Sequence, residues 1–312
     1  MRSTLRPLFA ILAAALLASA CATTPSGPAA FTVGTLTVHR YGDHGRPLIL
    51  IPGLGSGAWV WDGTVAQFEG DHVIYVLTLA GFDGTPLPAN HENLMGQADA
   101  SLLELIRSHN IDHPVLVGHS LGGTLALQFA SEHADLLSGV VAVDGLPVFP
   151  GTQDMSAEQR AAIGRGMSAR MAALSPEQFR EQQLAYMQTI GLIDPAMAAK
   201  YAALQDQSDP AAVAEYAGED LALDLRPQLK NIGVPVLEIS PYNPPDFAKD
   251  SKLPISEAQK TAYYQMLLAG IPNVEVESIS PSRHFAMLDQ PQKFYDILNT
   301  FLASLQATQP SP

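Results

Sequence analysis

Residues 115–123 read VLVGHSLGG, which places Ser120 between an apolar run and a pair of glycines. The apolar run at 115–117 is typical of a buried parallel strand, and residues 121–131 carry small and apolar side chains suited to a helix packed on a sheet. A strand-to-helix turn this sharp strains its central residue, so only residues with little or no side chain fit beside it. The stretch therefore predicts a nucleophilic serine at the end of a buried strand.

Length and composition place the chain among globular proteins. Its 312 residues can hold one large α/β domain or two smaller ones, with a substantial core. Apolar residues make up 47% and charged residues only 15%, which excludes global disorder. The formal net charge of −14 argues against nucleic acid or anionic lipid as an electrostatic partner. The charge says little about a neutral substrate.

The N-terminal residues 1–20 are predicted to be a signal peptide. Arg2 and Arg6 supply a positive segment, and the apolar stretch at 8–17 is too short to span a membrane. The single cysteine, Cys21, follows small residues in an arrangement similar to the lipobox of bacterial lipoproteins, although Ala18 stands where leucine is more usual. Lipid modification of Cys21 would anchor the protein to a membrane surface in the bacterial periplasm. The alternative is ordinary cleavage near residue 20, which gives a periplasmic or secreted protein.

Beyond the signal peptide, residues 21–30 are predicted to be a flexible tether, and strand and helix patterns then alternate. Residues 31–41 predict an opening hairpin. Buried strands are predicted at 48–51, 73–77, 115–117, 140–143, 234–239 and 274–279, and helices at 59–68, 92–109, 121–131, 257–269 and 291–305. This alternation predicts the α/β class, with a mostly parallel sheet flanked by helices. With one cysteine, the chain forms no internal disulfide.

A different pattern fills residues 150–226, where strand-like runs vanish. The pairs Ser175-Pro176, Asp194-Pro195 and Asp209-Pro210 each suit a helix start, with the polar residue as cap and proline as first helical residue. We expect an all-helical cap between the sixth and seventh core strands, leaving 31–149 and 227–307 as the core. Methionines of the cap either line an adaptable apolar pocket or fill its small core, and they are Met155, Met167, Met171, Met187 and Met197.

From about residue 31 to about residue 305 the chain resembles the α/β-hydrolase superfamily. In that family the nucleophilic serine lies on a sharp strand-to-helix turn, called the nucleophile elbow. It is followed along the chain by an acid and then by a histidine near the C-terminus. Residues 280–291 read SPSRHFAMLDQP and are similar to the histidine loop of the family. The resemblance implies that His284 accepts the proton of Ser120 and later protonates the leaving group.

Two residues compete for the role of the acid. Family members most often carry it in the loop after the strand predicted at 234–239, where Asn243 is no carboxylate and Asp246 lies three residues later. Several branches place it after the preceding strand instead, and there the chain has Asp144. Both loops open at the carboxyl edge of the sheet. We favour Asp144, whose alternative role is a turn cap at the strand end.

The loop at 51–57, IPGLGSG, resembles the His-Gly-x-Gly loop of the family, with proline in place of histidine. The resemblance implies an oxyanion hole formed by the backbone N–H groups of Leu54 and Leu121. The chain carries neither an H-E-x-x-H zinc motif nor a P-loop lysine motif, so we expect no cofactor and no metal.

A serine, histidine and aspartate with two amide donors suit acyl transfer, and we therefore expect hydrolysis of small-molecule carboxylic esters through an acyl-enzyme. The alternatives on the same residues are a lactonase, a thioesterase, an amidase or a haloperoxidase-like activity. Epoxide hydrolases and haloalkane dehalogenases share the fold but attack through a carboxylate, which Ser120 argues against. A non-catalytic binding protein of this fold is the alternative from a different class.

Overall fold

The computed structural model describes residues 30–250 and 254–307. The predicted signal peptide, Cys21 and the tether up to residue 29 lie outside the described residues. None of the helices in the described part is long and apolar enough to cross a membrane.

An eight-stranded sheet forms the centre of the described structure, in the order β1-β2-β4-β3-β5-β6-β7-β8. The strands β1 and β2 form the predicted hairpin, and β2 pairs antiparallel with β4, whereas all other neighbours are parallel. This arrangement confirms the predicted α/β fold with a mostly parallel sheet. The strands are β1 (Phe31–Val33), β2 (Leu36–Tyr41), β3 (Leu48–Ile51), β4 (Ile74–Thr78), β5 (Val115–His119), β6 (Gly139–Val143), β7 (Val236–Pro241) and β8 (Val274–Ile279).

Helices cover both faces of the sheet. They are α1 (Asp62–Phe68), α2 (Leu94–Ser108), α3 (Leu121–His133), α4 (Ala157–Ala172), α5 (Pro176–Tyr186), α6 (Pro195–Gln205), α7 (Pro210–Ala222), α8 (Glu257–Leu268), α9 (Ala286–Asp289) and α10 (Pro291–Ala307). The predicted helix at 59–68 begins as a separate 3₁₀ turn over Ala58–Trp61 before α1.

Side-chain alternation along the central strands builds one apolar cluster on each face of the sheet. In β3, Leu48 and Leu50 join one cluster, and Ile49 and Ile51 join the other, all with no exposed area. Strands buried on both faces in this way read as continuous apolar runs rather than alternating ones. The central sheet is therefore a fixed platform whose carboxyl edge carries the loops described below.

Four helices, α4 to α7, lie between β6 and β7, as the sequence predicted. Ser175, Asp194 and Asp209 cap α5, α6 and α7 through side-chain oxygens that accept backbone N–H groups, and a proline follows each cap. The three predicted helix starts are confirmed. Helices α4 and α7 pack closely against each other. A Cβ at Gly164 would lie only 2.3 Å from the carbonyl oxygen of Gly218, so the approach requires glycine at position 164. The division of the chain into core and cap domains at these boundaries stays a prediction.

Candidate active site

Ser120 occupies a strained turn between β5 and α3. Its backbone has φ 53° and ψ −121°, a region that non-glycine residues rarely adopt, and its N–H donates to the carbonyl of Val143 at 2.8 Å. A Cβ at Gly118 would lie 2.1 Å from the Gly122 carbonyl oxygen, and one at Gly122 would lie 2.4 Å from that of Ile51. The glycines on both sides of the serine are therefore required by the packing, and the predicted strand-to-helix turn is confirmed.

Asp144 follows β6 directly and also has a positive φ, of 55°. One of its carboxylate oxygens, Oδ2, accepts a hydrogen bond from Nδ1 of His284, and the other, Oδ1, accepts one from the hydroxyl of Tyr264. Burial by itself would raise the pKa of Asp144, but the ammonium of Lys260 and the contacts from His284 and Tyr264 outweigh it and hold that pKa well below its usual value. Asp144 is therefore a stable anion.

Asp246 accepts hydrogen bonds from residues other than His284. Its Oδ2 and Oδ1 accept from Nε and Nη2 of Arg283, both at 2.8 Å, and Oδ2 also accepts from Nδ2 of Asn243 at 2.9 Å. The hydrogen bond from the Arg283 guanidinium lowers the pKa of Asp246. The structure thus brings Asp144 to His284 and pairs Asp246 with the arginine that precedes the histidine.

The loop that carries His284 is tied to the helical segment between β6 and β7. The N–H of His284 donates to the carbonyl of Ile190, and the N–H of Phe285 donates to that of Gly191, each at 3.1 Å. Nη1 of Arg283 reaches the carbonyls of Gln188 at 2.7 Å and Leu192 at 3.0 Å. The imidazole is therefore held from two sides, by Asp144 through its ring and by this segment through its backbone.

His119 lies beneath His284 and is almost fully buried. Its Nε2 donates to the backbone carbonyl of His284 at 3.1 Å, and the two ring centroids are 4.6 Å apart. Burial, followed by the nearby His284, holds the pKa of His119 well below its usual value, so the His119 ring is neutral. A Cβ at Gly53 would lie 2.7 Å from Nδ1 of His119, which explains the glycine in the 51–57 loop.

Leu54 and Leu121, the predicted amide donors, both line the cavity that contains Ser120. Leu121 is the first residue of α3, and an N–H at that position has no partner within its own helix. Within the described part of the chain, the N–H of Leu54 also has no hydrogen-bond partner. Two free amides beside the serine suit the binding of a negatively charged oxygen.

The cavity has a volume of about 460 Å³, and Ser120, Asp144 and His284 all line it. Its far wall comes from the helical segment, through side chains that include Met167, Met171, Tyr186, Ile190 and Leu221. Two other methionines of the cap, Met187 and Met197, do not line the cavity. They pack in or against an apolar cluster of the core. The cavity is thus a largely apolar space bounded on one side by the carboxyl edge of the sheet and on the other by helices.

Sequence reasoning missed several polar groups around this site. Tyr264 lies on α8, Asp220 lies on α7 and lines the cavity, and Glu238 lies inside β7. The side chain of Glu238 is fully buried, and burial, together with the charge of Asp144, raises its pKa well above the usual value. A glutamate within the apolar run of β7 was a visible signal, whereas nothing local marked Tyr264 or Asp220.

A second polar cluster lies apart from the residues that line the cavity. Asp99, Glu132 and His133 each place one potential ligand atom within 4.8 Å of the others, close enough to hold a metal ion. None of the three lines the cavity. The cluster is therefore separate from the lining of the candidate active site.

Fold and cavity together define a hydrolase-type α/β protein. The sequence profile of the alpha/beta hydrolase family matches residues 48–297, and the chain belongs to that family. Its sequence is 26% identical over 277 residues to a pimeloyl-(acyl-carrier protein) methyl ester esterase of Vibrio atlanticus, covering 86% of this chain and 98% of the relative.

Solved structures show the same fold. A hydrolase from Pseudomonas aeruginosa superimposes with a TM-score of 0.72 at 17% identity, covering 89% of this chain and 99% of the other. An enol-lactonase from Burkholderia xenovorans superimposes with a TM-score of 0.64 at 20% identity, covering 88% and 100%. At these identities the likeness concerns the fold, and the chemistry has to be argued from the residues of this chain.

Proposed function

We propose that the protein is a serine-dependent carboxylic ester hydrolase that works through an acyl-enzyme. The observation that carries this proposal is the hydrogen bond between Asp144 and Nδ1 of His284 in the cavity that also contains Ser120. That bond fixes the imidazole tautomer and leaves Nε2 as the ring nitrogen available to the serine hydroxyl. The relation to a methyl ester esterase supports the choice of an ester bond.

In the proposed reaction the Oγ of Ser120 attacks the ester carbonyl carbon while its proton passes to Nε2 of His284. The tetrahedral intermediate collapses by breaking the bond to the alcohol oxygen, which takes the proton from His284 and leaves. Water then loses a proton to His284 and attacks the acyl carbon. The second tetrahedral intermediate collapses by breaking the bond to the Oγ of Ser120, which takes the proton back from His284, and the carboxylic acid leaves. Asp144 stays ionised throughout and stabilises the imidazolium.

The negative oxygen of each tetrahedral intermediate is placed against the N–H groups of Leu54 and Leu121. Donors of this kind contribute roughly 3–4 kcal/mol each when they are held in advance at the position where the charge develops. The packing of the neighbouring glycines maintains the strained φ of 53° at Ser120. This supports the proposal, because the serine is held in advance beside the two N–H groups.

A fluorophosphonate probe tests the proposal directly. We expect stoichiometric labelling of the wild type, none in Ser120→Ala, and a loss of ester turnover of about 10⁴-fold or more in that variant. Ser131→Ala is the matched control, because its hydroxyl donates to the Gln128 carbonyl at 2.8 Å and does not line the cavity. A folded wild type that is neither labelled nor active would overturn the proposal in favour of a binding protein.

The bond type is tested by a substrate panel. We propose short or medium acyl esters, since the cavity of about 460 Å³ is bounded largely by apolar side chains. Turnover of p-nitrophenyl esters graded by chain length, beside lactones, thioesters and amides, measures this preference. Faster turnover of lactones would assign the same residues to lactone hydrolysis, the activity for which the enol-lactonase from Burkholderia xenovorans is named.

We further propose that residues 1–20 direct export and that Cys21 is lipid-modified, which would place the enzyme at a membrane surface of the bacterial periplasm. Support comes from the sequence pattern alone. Metabolic labelling with a radioactive fatty acid should mark the wild type and leave Cys21→Ser unmarked. Equal labelling of both, or of neither, would contradict the anchor.

A further inference from the structure

Asp220 faces the substrate cavity from the helical wall. It lies near the end of α7 and lines the same space as Ser120 and His284. Within the described residues no lysine or arginine pairs with it. The hydroxyl of Thr124 donates to the Leu146 carbonyl at 3.0 Å, and its influence on the pKa of Asp220 is outweighed by burial.

Among the described residues, neither lysine nor arginine lines the cavity, so no permanently positive side chain there matches this carboxylate. The other carboxylate there, Asp144, already accepts from His284 and Tyr264. Burial raises the pKa of Asp220 to about 7, while the Thr124 hydroxyl and His284 oppose the shift. Asp220 is therefore an acid whose charge is costly at this position and would be stabilised by a cation beside it.

Aromatic side chains also line the cavity. Phe149, Tyr186 and Phe285 line the cavity, and ring faces attract organic cations such as ammonium groups. The formal net charge of −14 adds a field that draws cations rather than anions toward the protein. An ammonium group carried by a substrate therefore meets a counter-charge at Asp220, whereas a substrate carboxylate would meet a like charge.

We propose that the cavity contains a cation subsite, in which Asp220 is the counter-ion for an ammonium group carried by the ester substrate. This inference rests on the proposed esterase function and adds its substrate class. Asp220 acts on binding and orientation only, because Ser120, His284 and Asp144 supply the bond-breaking chemistry.

The test compares esters that differ only in charge. Choline butyrate is paired with 3,3-dimethylbutyl butyrate, and p-nitrophenyl 4-(trimethylammonio)butyrate is paired with p-nitrophenyl 5,5-dimethylhexanoate. The two pairs place the cation on the alcohol side and on the acyl side. We expect wild type to favour the cationic member of at least one pair by about tenfold in kcat/KM, which corresponds to about 1.4 kcal/mol.

Asp220→Asn keeps the shape and removes the charge. It should abolish the preference mainly through KM of the cationic ester, so that the two members of each pair reach similar kcat/KM. Glu215→Gln is the control, because it removes a charge from the same helix outside the cavity lining and should leave the preference intact.

The outcomes separate the two proposals. Hydrolysis of neither the neutral nor the cationic member of either pair would refute the esterase function itself. Hydrolysis of neutral esters with no cationic preference in either pair, or a preference that persists in Asp220→Asn, would overturn the cation subsite and leave the esterase function standing.

Discussion

Two aspartates on opposite walls of the cavity have pKa values that are shifted in opposite directions. On the sheet side, Asp144 is buried among Lys260, His284 and Tyr264, and its pKa falls well below the usual value. On the helical side, no lysine or arginine of the described residues pairs with Asp220, burial dominates, and the pKa of Asp220 rises to about 7. Both carboxylates are partly buried, and burial acts on both in the same direction, so burial alone does not decide their charge. The positive charges and hydrogen-bond donors that face each carboxylate decide it.

This difference separates the proposed roles. A carboxylate already saturated with donors keeps its charge through a reaction cycle, which suits the stabilisation of an imidazolium. A carboxylate short of donors gains most from a ligand that brings one, which suits recognition. The predictions below test the contrast by removing donors or charge from each wall in turn.

The largest effect is expected on the sheet wall. Asp144→Asn removes the charge that orients His284, and kcat for a p-nitrophenyl ester should fall by about ten-thousand-fold. Steady-state kinetics on a variant with an unchanged far-UV circular dichroism spectrum measure it. Asp246→Asn is the contrasting variant, because Asp246 pairs with Arg283, and its kcat should change less than about threefold. The reverse pattern would transfer the role of the acid to Asp246.

A smaller effect is expected when one donor to Asp144 is removed. In Tyr264→Phe the ring remains and the hydroxyl that donates to Oδ1 is lost, so kcat should fall by about tenfold, within the range of a hydrogen bond to a charged group. Tyr263→Phe is the matched control, since its hydroxyl is 3.1 Å from Oε1 of Gln153 instead. Equal losses in the two variants would show that Asp144 does not depend on this donor.

The smallest effect is expected on the helical wall and concerns stability. The folded pKa of Asp220, about 7, lies above the value of 3.8 for an unperturbed aspartate. The unfolded chain therefore loses its proton first as pH rises, and the native state is destabilised between about pH 4 and pH 7. Asp220→Asn should raise the free energy of unfolding by roughly 1–3 kcal/mol at pH 8.5. Urea unfolding at pH 8.5 and pH 5 measures this gain, which should shrink at the lower pH.

Asp246→Asn is again the useful contrast. The pKa of Asp246 is lowered by Arg283, so its contribution to stability is present above the unfolded value and is lost only in acid. That variant should be destabilised equally at pH 5 and pH 8.5. A gain in Asp220→Asn that is the same at both pH values would contradict the raised pKa.

Local signals predicted most of the fold. The elbow around Ser120 follows from glycine sterics, and the helix starts at Ser175, Asp194 and Asp209 follow from caps and prolines that act within a few residues. The strand positions follow from apolar runs, with ends that differ by one or two residues. At β7, for example, the predicted strand began at residue 234 and the observed strand begins at Val236.

The choice of acid was beyond local pattern. Asp144 and Asp246 both follow a strand of the same sheet edge, and the sequence does not show which loop the histidine loop meets. Asp144 lies 140 residues before His284 and 120 before Tyr264, so the contacts depend on how distant elements pack. Asp220 was missed for the same reason, since its place in the cavity depends on how α7 packs over the sheet.

The two backbone hydrogen bonds that join Ile190 and Gly191 to the histidine loop have a consequence for engineering. Any hinge that lifted residues 187–191, the helical turn that follows α5, would pull on the backbone of His284 and shift its imidazole away from Asp144. A chimera that exchanges helices α4 to α7 for those of a relative should therefore keep this turn, so that the cavity wall changes while the ring of His284 keeps its position.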